Sequence, residues 1–290
     1  MATLAQWIEG ARPRTLPAAL APVMVGTASA HALGRSDLGL ALLALVVALG
    51  FQVGVNYAND YSDGVRGTDE ERVGPVRLVG QRLADPANVK MAAFACFFGA
   101  SVAGLALVAL SNAWWLMLVG MVAVWAAWHY TGGKNPYGYR GLGEVMVFIF
   151  FGLFAVIGTT WTQAHRVDVA TIAGAVGCGF LACAILVTNN LRDLEGDRAA
   201  GKRTSAVRLG FRRTRNLYTY LVVGAFVMVL VAAIAHWTAL VGLLAVPLAI
   251  RPLRIVRGEN FGPQLLPALA QTGVLQLGYA AALTLGLALA

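Results

Sequence analysis

What most constrains this chain is its succession of long, unbroken apolar runs. Nine candidate membrane spans can be read, at about 15–34, 39–59, 89–110, 113–130, 143–163, 167–190, 216–235, 238–256 and 267–289. Each is close to the roughly 20 residues a helix needs to cross a bilayer, where every backbone polar group must be satisfied internally. The runs do not alternate with period two, which argues against a β-barrel. Composition agrees: the chain is 58% hydrophobic and only 12% charged, about half the charged fraction usual for soluble domains. The expected fold is therefore an all-α integral membrane protein, a single domain over residues 1–290 with no linker or low-complexity tract.

Charge placement supplies an orientation. With the N-terminus inside, all of the 22 Lys and Arg fall on inside segments or helix ends except Arg35 and Arg166. The positive-inside rule then gives an N-in, C-out topology. All of the 14 acids except Asp37 and Asp168 lie on that same side. The formal charge of +8 is thus a rim on one face, suited to anionic headgroups or an anionic substrate. Nucleic acid is not an expected partner, because no extramembrane segment is long enough to form a domain for it. The connections at 60–88, 131–142, 191–215 and 257–266 are mostly long and polar, whereas the opposite ones are very short. Function sits on loops held by a scaffold, so it is expected on the inside face. That places the protein in the cell (inner or plasma) membrane, multi-pass, with its active site facing the cytoplasm.

Two short segments break the apolar pattern at inside ends of spans. One carries Asn56, Asp60 and Asp63, the other Asn189, Asp193 and Asp197. Residues three and four apart share a helix face, so each set reads as one stripe bearing an amide and two carboxylates. Like charges so placed repel unless a cation lies between them. A lone Asp there would be an ordinary solvated helix end, but two matched clusters on one face need a further reason. Mg²⁺ prefers oxygen ligands and typically takes one or two carboxylates, waters and substrate phosphate oxygens. Two facing stripes suit a diphosphate held between metal ions.

The remaining groups are less specific. Lys134, Arg140, Lys202 and Arg14 are the cations available to meet a diphosphate. Which of Lys134 and Arg140 would do so stays open. Tyr130 and Tyr139 line the second inside connection, where the interfacial aromatic belt is the ordinary reading, and Glu144 follows them. Cys96, Cys178 and Cys183 lie inside spans without metal-type spacing and read as packing residues. The four histidines never pair at ligand spacing.

The stretches Asn59-Asp60-Tyr61-Ser62-Asp63-Gly64 with Gly67-Thr68-Asp69, and Asn190-Leu191-Arg192-Asp193-Leu194-Glu195-Gly196-Asp197, resemble the two Asp-rich motifs of UbiA-type intramembrane prenyltransferases. Within that superfamily the chain is most similar to the 1,4-dihydroxy-2-naphthoate polyprenyltransferases of menaquinone synthesis. That narrower likeness rests on Ala11 to Pro17, on Tyr130 to Gly133 with Pro136, Gly138, Tyr139, Gly143 and Glu144, and on Gly201 to Thr204 with Ala206 to Gly210. The resemblance implies nine helices around a central cavity and a polyprenyl diphosphate donor. It implies one Mg²⁺ on Asp60 and Asp63 and another on Asp193 and Asp197, with Asn56 and Asn189 completing the shells or meeting diphosphate oxygens. It also implies attack by 1,4-dihydroxy-2-naphthoate, with loss of CO₂ and diphosphate. On this basis Lys134 and Tyr139 join the four aspartates as catalytic candidates. Arg140, Lys202 and Arg14 are assigned to diphosphate, and Tyr130 and Glu144 to the acceptor. Other readings are an acceptor such as 4-hydroxybenzoate, a cation-coupled transporter, whose site would lie nearer the midplane, and a CDP-alcohol phosphotransferase, whose trailing Asp pattern is missing.

Overall fold

The computed structural model describes residues 2–67 and 76–290, and all regular structure among them is helical. A short α1 (Leu4–Gly10) precedes α2 (Pro17–Ala32), α3 (Leu38–Val65), α4 (Pro86–Ser111) and α5 (Leu116–His129). Next come α6 (Gly143–Val147) and α7 (Ala155–Ala164), joined into one continuous helix by a π-helical segment, Phe148–Phe154. Then follow α8 (Val169–Arg192), α9 (Leu194–Ala199), α10 (Ser205–Ala232), a 3₁₀ segment (Trp237–Ala245) running into α11 (Val246–Arg257), and α12 (Leu266–Ala288). Seven helical stretches among the described residues are long and apolar enough to cross a membrane. The expected spans at 15–34 and 113–130 correspond to the shorter α2, 16 residues, and α5, 14 residues. Pro17 fixes the start of α2, and the residues before α5 form turns rather than helix.

Small side chains set the packing, because lipid offers no hydrophobic drive for helices to associate. α8 is the axis: 72% of its most apolar window is buried, the largest share among the long helices. It packs on α2, α10, α12 and the π segment. At Gly152 an added Cβ would come within 2.6 Å of the Gly179 Cα and 2.8 Å of the Ala175 carbonyl. The backbones therefore touch directly. α3 and α4 approach in the same way, with Gly50 and Gly54 facing Ala100 and Phe97. π-Helical turns are rare and cluster at functional sites. Here the segment places Phe150, Phe151 and Phe154 on the wall of the central cavity.

The two acids outside the rim are helix caps. Asp37 Oδ1 accepts the Leu40 N–H at 2.9 Å at the start of α3. Asp168 Oδ1 accepts the Thr171 N–H at 2.8 Å at the start of α8, while Oδ2 lies 2.9 Å from His236 Nε2. Partial burial alone would push the Asp168 carboxyl up. The hydrogen bonds from Thr171 and His236 outweigh it and hold the group below its ordinary value.

Two outcomes are expected. Gly152→Val should overpack the α8 contact and cost about 1–3 kcal/mol, seen as a lowered thermal midpoint in detergent. Gly99→Ala, where nothing lies within 4 Å of an added Cβ, should not lower it, and equal midpoints for the two variants would refute the close-approach account. A depressed Asp168 pKa contributes stability that is present above the unfolded value and lost as pH falls through the folded one. The midpoint of the protein should therefore drop below about pH 4, and Asp168→Asn should flatten that part of the profile.

Candidate active site

A cavity of about 800 Å³ lies between α2, α3, α4, α5, the α6–α7 helix and α8. Most of its wall is apolar, including Val47, Phe51, Leu107, Phe150, Phe154 and Leu186. Its polar lining includes Glu9, Arg12, Arg14, Asn56, Asn59, Arg77, Tyr130, Tyr137, Asn189 and Arg192. Those residues come from α1–α2, the ends of α3 and α8, and the segments that follow α3 and α5.

The two acidic motifs meet beside this polar region: Tyr130 of the wall feels the charges of Asp63 and Asp197, while the four aspartates, Tyr139 and Lys202 are not themselves among the lining residues. Asp63, in the last turns of α3, is 4% exposed. It accepts hydrogen bonds from Lys202 Nζ at 3.1 Å and from the Tyr139 hydroxyl. Lys202 also sits 4.6 Å from the Tyr139 ring centre, and its backbone N–H donates to the Asp197 carbonyl at 2.8 Å. Asp63, Tyr139, Lys202 and Asp197 thus come from three separate segments of the chain. The Arg203 N–H donates to the Tyr139 carbonyl at 2.8 Å and fixes the third segment against the second. At the end of α3, Arg66 donates to the Thr131 and Gly133 carbonyls. Burial, Glu144, Tyr137, Asp63 and Asp197 all raise the Tyr130 phenol, in that order. Charges from both motifs therefore reach Tyr130, which stays protonated and able to donate.

The second motif does not lie on one continuous helix. α8 ends at Arg192, Asp193 is the non-helical junction (φ −93°, ψ 5°), and Asp197 lies in α9. The backbone bonds from Asp193 N–H to the Asn189 carbonyl (3.1 Å) and from Asp197 N–H to the Asp193 carbonyl (2.8 Å) keep a near-helical course. Asp193 is paired side-on with Arg192, both contacts 2.7 Å. Arg192 Nη1 is buried with no hydrogen-bond partner.

The first motif also divides. Asp60 is 1% exposed, and its oxygens accept the N–H groups of Leu78 (2.7 Å) and Val79 (3.1 Å). It anchors the segment after α3. Asn56 donates to the Ala11 carbonyl at 2.8 Å and to Thr15 Oγ1 at 3.1 Å, tying α3 to the chain before α2. Asn189 and Arg14 line the cavity. Glu144 accepts from Asn190 Nδ2 at 2.9 Å and from the Ser205 hydroxyl, linking α6, α8 and α10. Lys134 and Arg140 are exposed and not part of the cavity wall. The turns at Gly133 and Gly141, both with positive φ, accompany their outward placement. Thr68 and Asp69 lie outside the described residues.

Sequence reasoning did not single out Asn59, Arg77, Arg192 or Asn190 as site residues. Arg192 and Asn190 stand inside the second motif and Asn59 inside the first, so their neighbours were the available signal. Arg77, 3% exposed, had none beyond its closeness to the first motif.

Among the described residues no three His, Cys, Asp or Glu side chains gather as a ligand cluster. The donors near the cavity are all hard oxygens, from Asp63, Asp193, Asp197, Asn59 and Asn189. Such a set fits Mg²⁺, which needs only one or two carboxylates when phosphate oxygens and water complete its shell.

Comparison with known proteins gives a consistent picture. The sequence profile of the UbiA prenyltransferase family matches residues 19–260. The 1,4-dihydroxy-2-naphthoate octaprenyltransferase of Mycobacterium leprae is 52% identical over 290 residues, covering 100% of this chain and 98% of that one. Its counterpart from Mycobacterium tuberculosis is 52% identical over 288 residues, 99% and 98%. A UbiA homolog from Archaeoglobus fulgidus, solved bound to GPP and Mg²⁺, superposes with a TM-score of 0.72 at 16% identity, covering 98% of this chain and 100% of that one.

The buried pair gives a sharp expectation. Lys202→Met removes one partner of this buried ion pair and should cost about 3–5 kcal/mol. The double variant D63N/K202M should regain much of that loss while staying inactive. A thermal midpoint for Lys202→Met equal to that of the unaltered protein would refute the pairing.

Proposed function

This chain belongs to the UbiA prenyltransferase family and is a prenyl-transferring enzyme, and we propose that it transfers a polyprenyl group from its diphosphate to 1,4-dihydroxy-2-naphthoate. CO₂ and diphosphate are lost and a demethylmenaquinone forms. The observation that carries this reading is a cavity that joins an apolar, chain-sized volume to a region lined mainly by guanidinium and amide groups. High identity over the full length to enzymes named for that acceptor supports it.

On this reading the chain is one domain with nine spans, N-in and C-out, α2 and α5 being the two short ones. The polar region then faces the cytoplasm of a cell membrane. Asp63, Asp193 and Asp197 would hold Mg²⁺, which when bound would supply positive charge to the leaving diphosphate, with Asp60 supporting the first motif through the Leu78 and Val79 amides.

The chain's own residues do the remainder. Lys202 stands beside Asp63 and is placed to neutralise a phosphate oxygen as the C–O bond breaks. Asn189, with Arg14 at the cavity mouth, gives further contacts to diphosphate. The apolar wall holds the prenyl tail and keeps water from the allylic cation. Tyr139, oriented by its bond to Asp63, and Tyr130, held neutral, turn π-faces or hydroxyls toward the reacting carbons. Arg192, through its unpartnered Nη1, and Arg77 are better placed than the exposed Lys134 and Arg140 to pair with the acceptor carboxylate. The electron-rich ring attacks at the carboxylate-bearing carbon, and aromaticity returns as CO₂ leaves. Glu144, bonded to Asn190 and Ser205, acts by positioning the end of α8.

The test is an assay of the protein in membranes with labelled polyprenyl diphosphate, with and without Mg²⁺. Mg²⁺-dependent transfer to 1,4-dihydroxy-2-naphthoate is expected, with Arg192→Gln raising the KM for that acceptor more than for the donor. Transfer to 4-hydroxybenzoate alone would sink the acceptor assignment.

A further inference from the structure

Away from the cavity, one membrane-facing surface carries an unusual charge. No acidic residue occurs between Asp197 and Glu259. That interval holds Arg212, Arg213 and Arg215 in α10 and Arg251, Arg254 and Arg257 in α11. The three arginines of α11 follow one another at i, i+3 and i+6 and so form one stripe. All three are exposed. Among the described residues none makes a side-chain hydrogen bond or ion pair. The same helix exposes Val246 at 42%, Leu248 at 41% and Ile250 at 47%, the apolar surface expected of a helix against lipid.

The start of α10 is fixed beside this stripe. Arg215 Nη2 donates to the Asn260 carbonyl at 3.0 Å, its guanidinium lies 5.0 Å from the Phe261 ring centre, and Phe211 meets Phe261 edge to face at 4.8 Å. Arg212 and Arg213, both exposed, stand between those two anchors. Six guanidiniums are thus brought together by α10, α11 and the stretch between α11 and α12, and the first acid after Asp197 in the sequence is the exposed Glu259.

Along the helix axis Arg251 lies about 9 Å inside Arg257. That depth is comparable to the headgroup layer of a bilayer, roughly 5–8 Å on each side. A loop arginine would be hydrated; these project sideways from a helix whose other exposed residues are apolar. An arginine held at that depth snorkels its guanidinium toward phosphate. A basic pocket between helices at the bilayer edge is the arrangement that holds anionic headgroups.

We propose that Arg251, Arg254 and Arg257 of α11, with Arg212 and Arg213 of α10, form a binding site for the headgroup of an anionic phospholipid. The site is lateral and separate from the cavity, none of whose lining residues belongs to it. It rests on the chain crossing a bilayer and not on the metal or the acceptor.

The test uses the full chain in vesicles of phosphatidylcholine, with and without phosphatidylglycerol. Phosphatidylglycerol should bind and raise the thermal midpoint, and high salt should remove both effects. R251Q/R254Q/R257Q should weaken phosphatidylglycerol binding roughly a hundredfold, with turnover in pure phosphatidylcholine at the level of the unaltered protein. R251K/R254K/R257K should retain most of the binding. Unchanged phosphatidylglycerol affinity in the glutamine variant would overturn the proposal, as would a lipid preference that high salt leaves intact. A rise only in the KM for polyprenyl diphosphate would overturn it too, marking the patch as a donor entry point. Turnover in phosphatidylcholine reports the catalytic reading separately.

Discussion

The ion pair between Asp63 and Lys202 is the contact on which the arrangement of the site depends. Both side chains are almost fully buried, 6% and 5% exposed. In a low-dielectric interior neither charge is tolerable alone, and the cost of losing one partner exceeds what the pair itself contributes. The pair therefore acts less as a source of stability than as a rule about geometry. α3 must end where Lys202 can reach it, so the turn after α9 is drawn to the end of α3. Tyr139 lies between the two, touching the carboxylate with its hydroxyl and the ammonium with its ring. Three segments separated by membrane spans thereby converge on one point.

That point lies over a cavity because of how α8 packs. Its glycines and alanines let α2, α12 and the π segment come close enough to bury most of its surface. A helix so enclosed carries its C-terminal end, Asn189 to Asp193, to a fixed position at the cavity wall. The side toward α3 and α5 stays open. There the π segment turns three phenylalanines to the cavity. The close contacts on one side of α8 and the open volume on the other belong to the same distribution of residue sizes.

Much of this was legible in the sequence. Apolar runs marked the helices, because satisfying the backbone in hydrocarbon leaves few alternatives. Asp37 and Asp168, odd as the two acids away from the rim, are explained as caps one residue before α3 and α8. Spacing brought Asp63 and Asp197 into consideration together. What spacing does not carry is side-chain partnership. Lys134 and Arg140 match Lys202 in charge and in lying on an inside connection, yet they are exposed, beside turns at glycines with positive φ. Arg192 read as part of a topology signal, and only the fold reveals its place in the cavity wall. The break at Asp193 was equally hidden, since the backbone hydrogen bonds continue across it almost as in a helix.

The two acids of the first motif show why a motif is not a single functional unit. Asp60 and Asp63 are three residues apart on one helix, some 60° around its axis. That small rotation sends them to different tasks. Asp63 turns to Lys202 and Tyr139. Asp60 turns to the amides of Leu78 and Val79, and so fixes the stretch that begins with Arg77, itself in the cavity wall. A carboxylate that accepts two backbone N–H groups is hard to replace, since an amide side chain offers one acceptor and sets a donor against the other N–H. Loss of turnover on altering Asp60 would therefore not identify it as a metal ligand. The discriminating quantity is where the damage appears. On the proposed function, displacing the 77–79 stretch should change acceptor binding through Arg77, whereas removing Asp63 should act on the leaving group and leave that stretch in place.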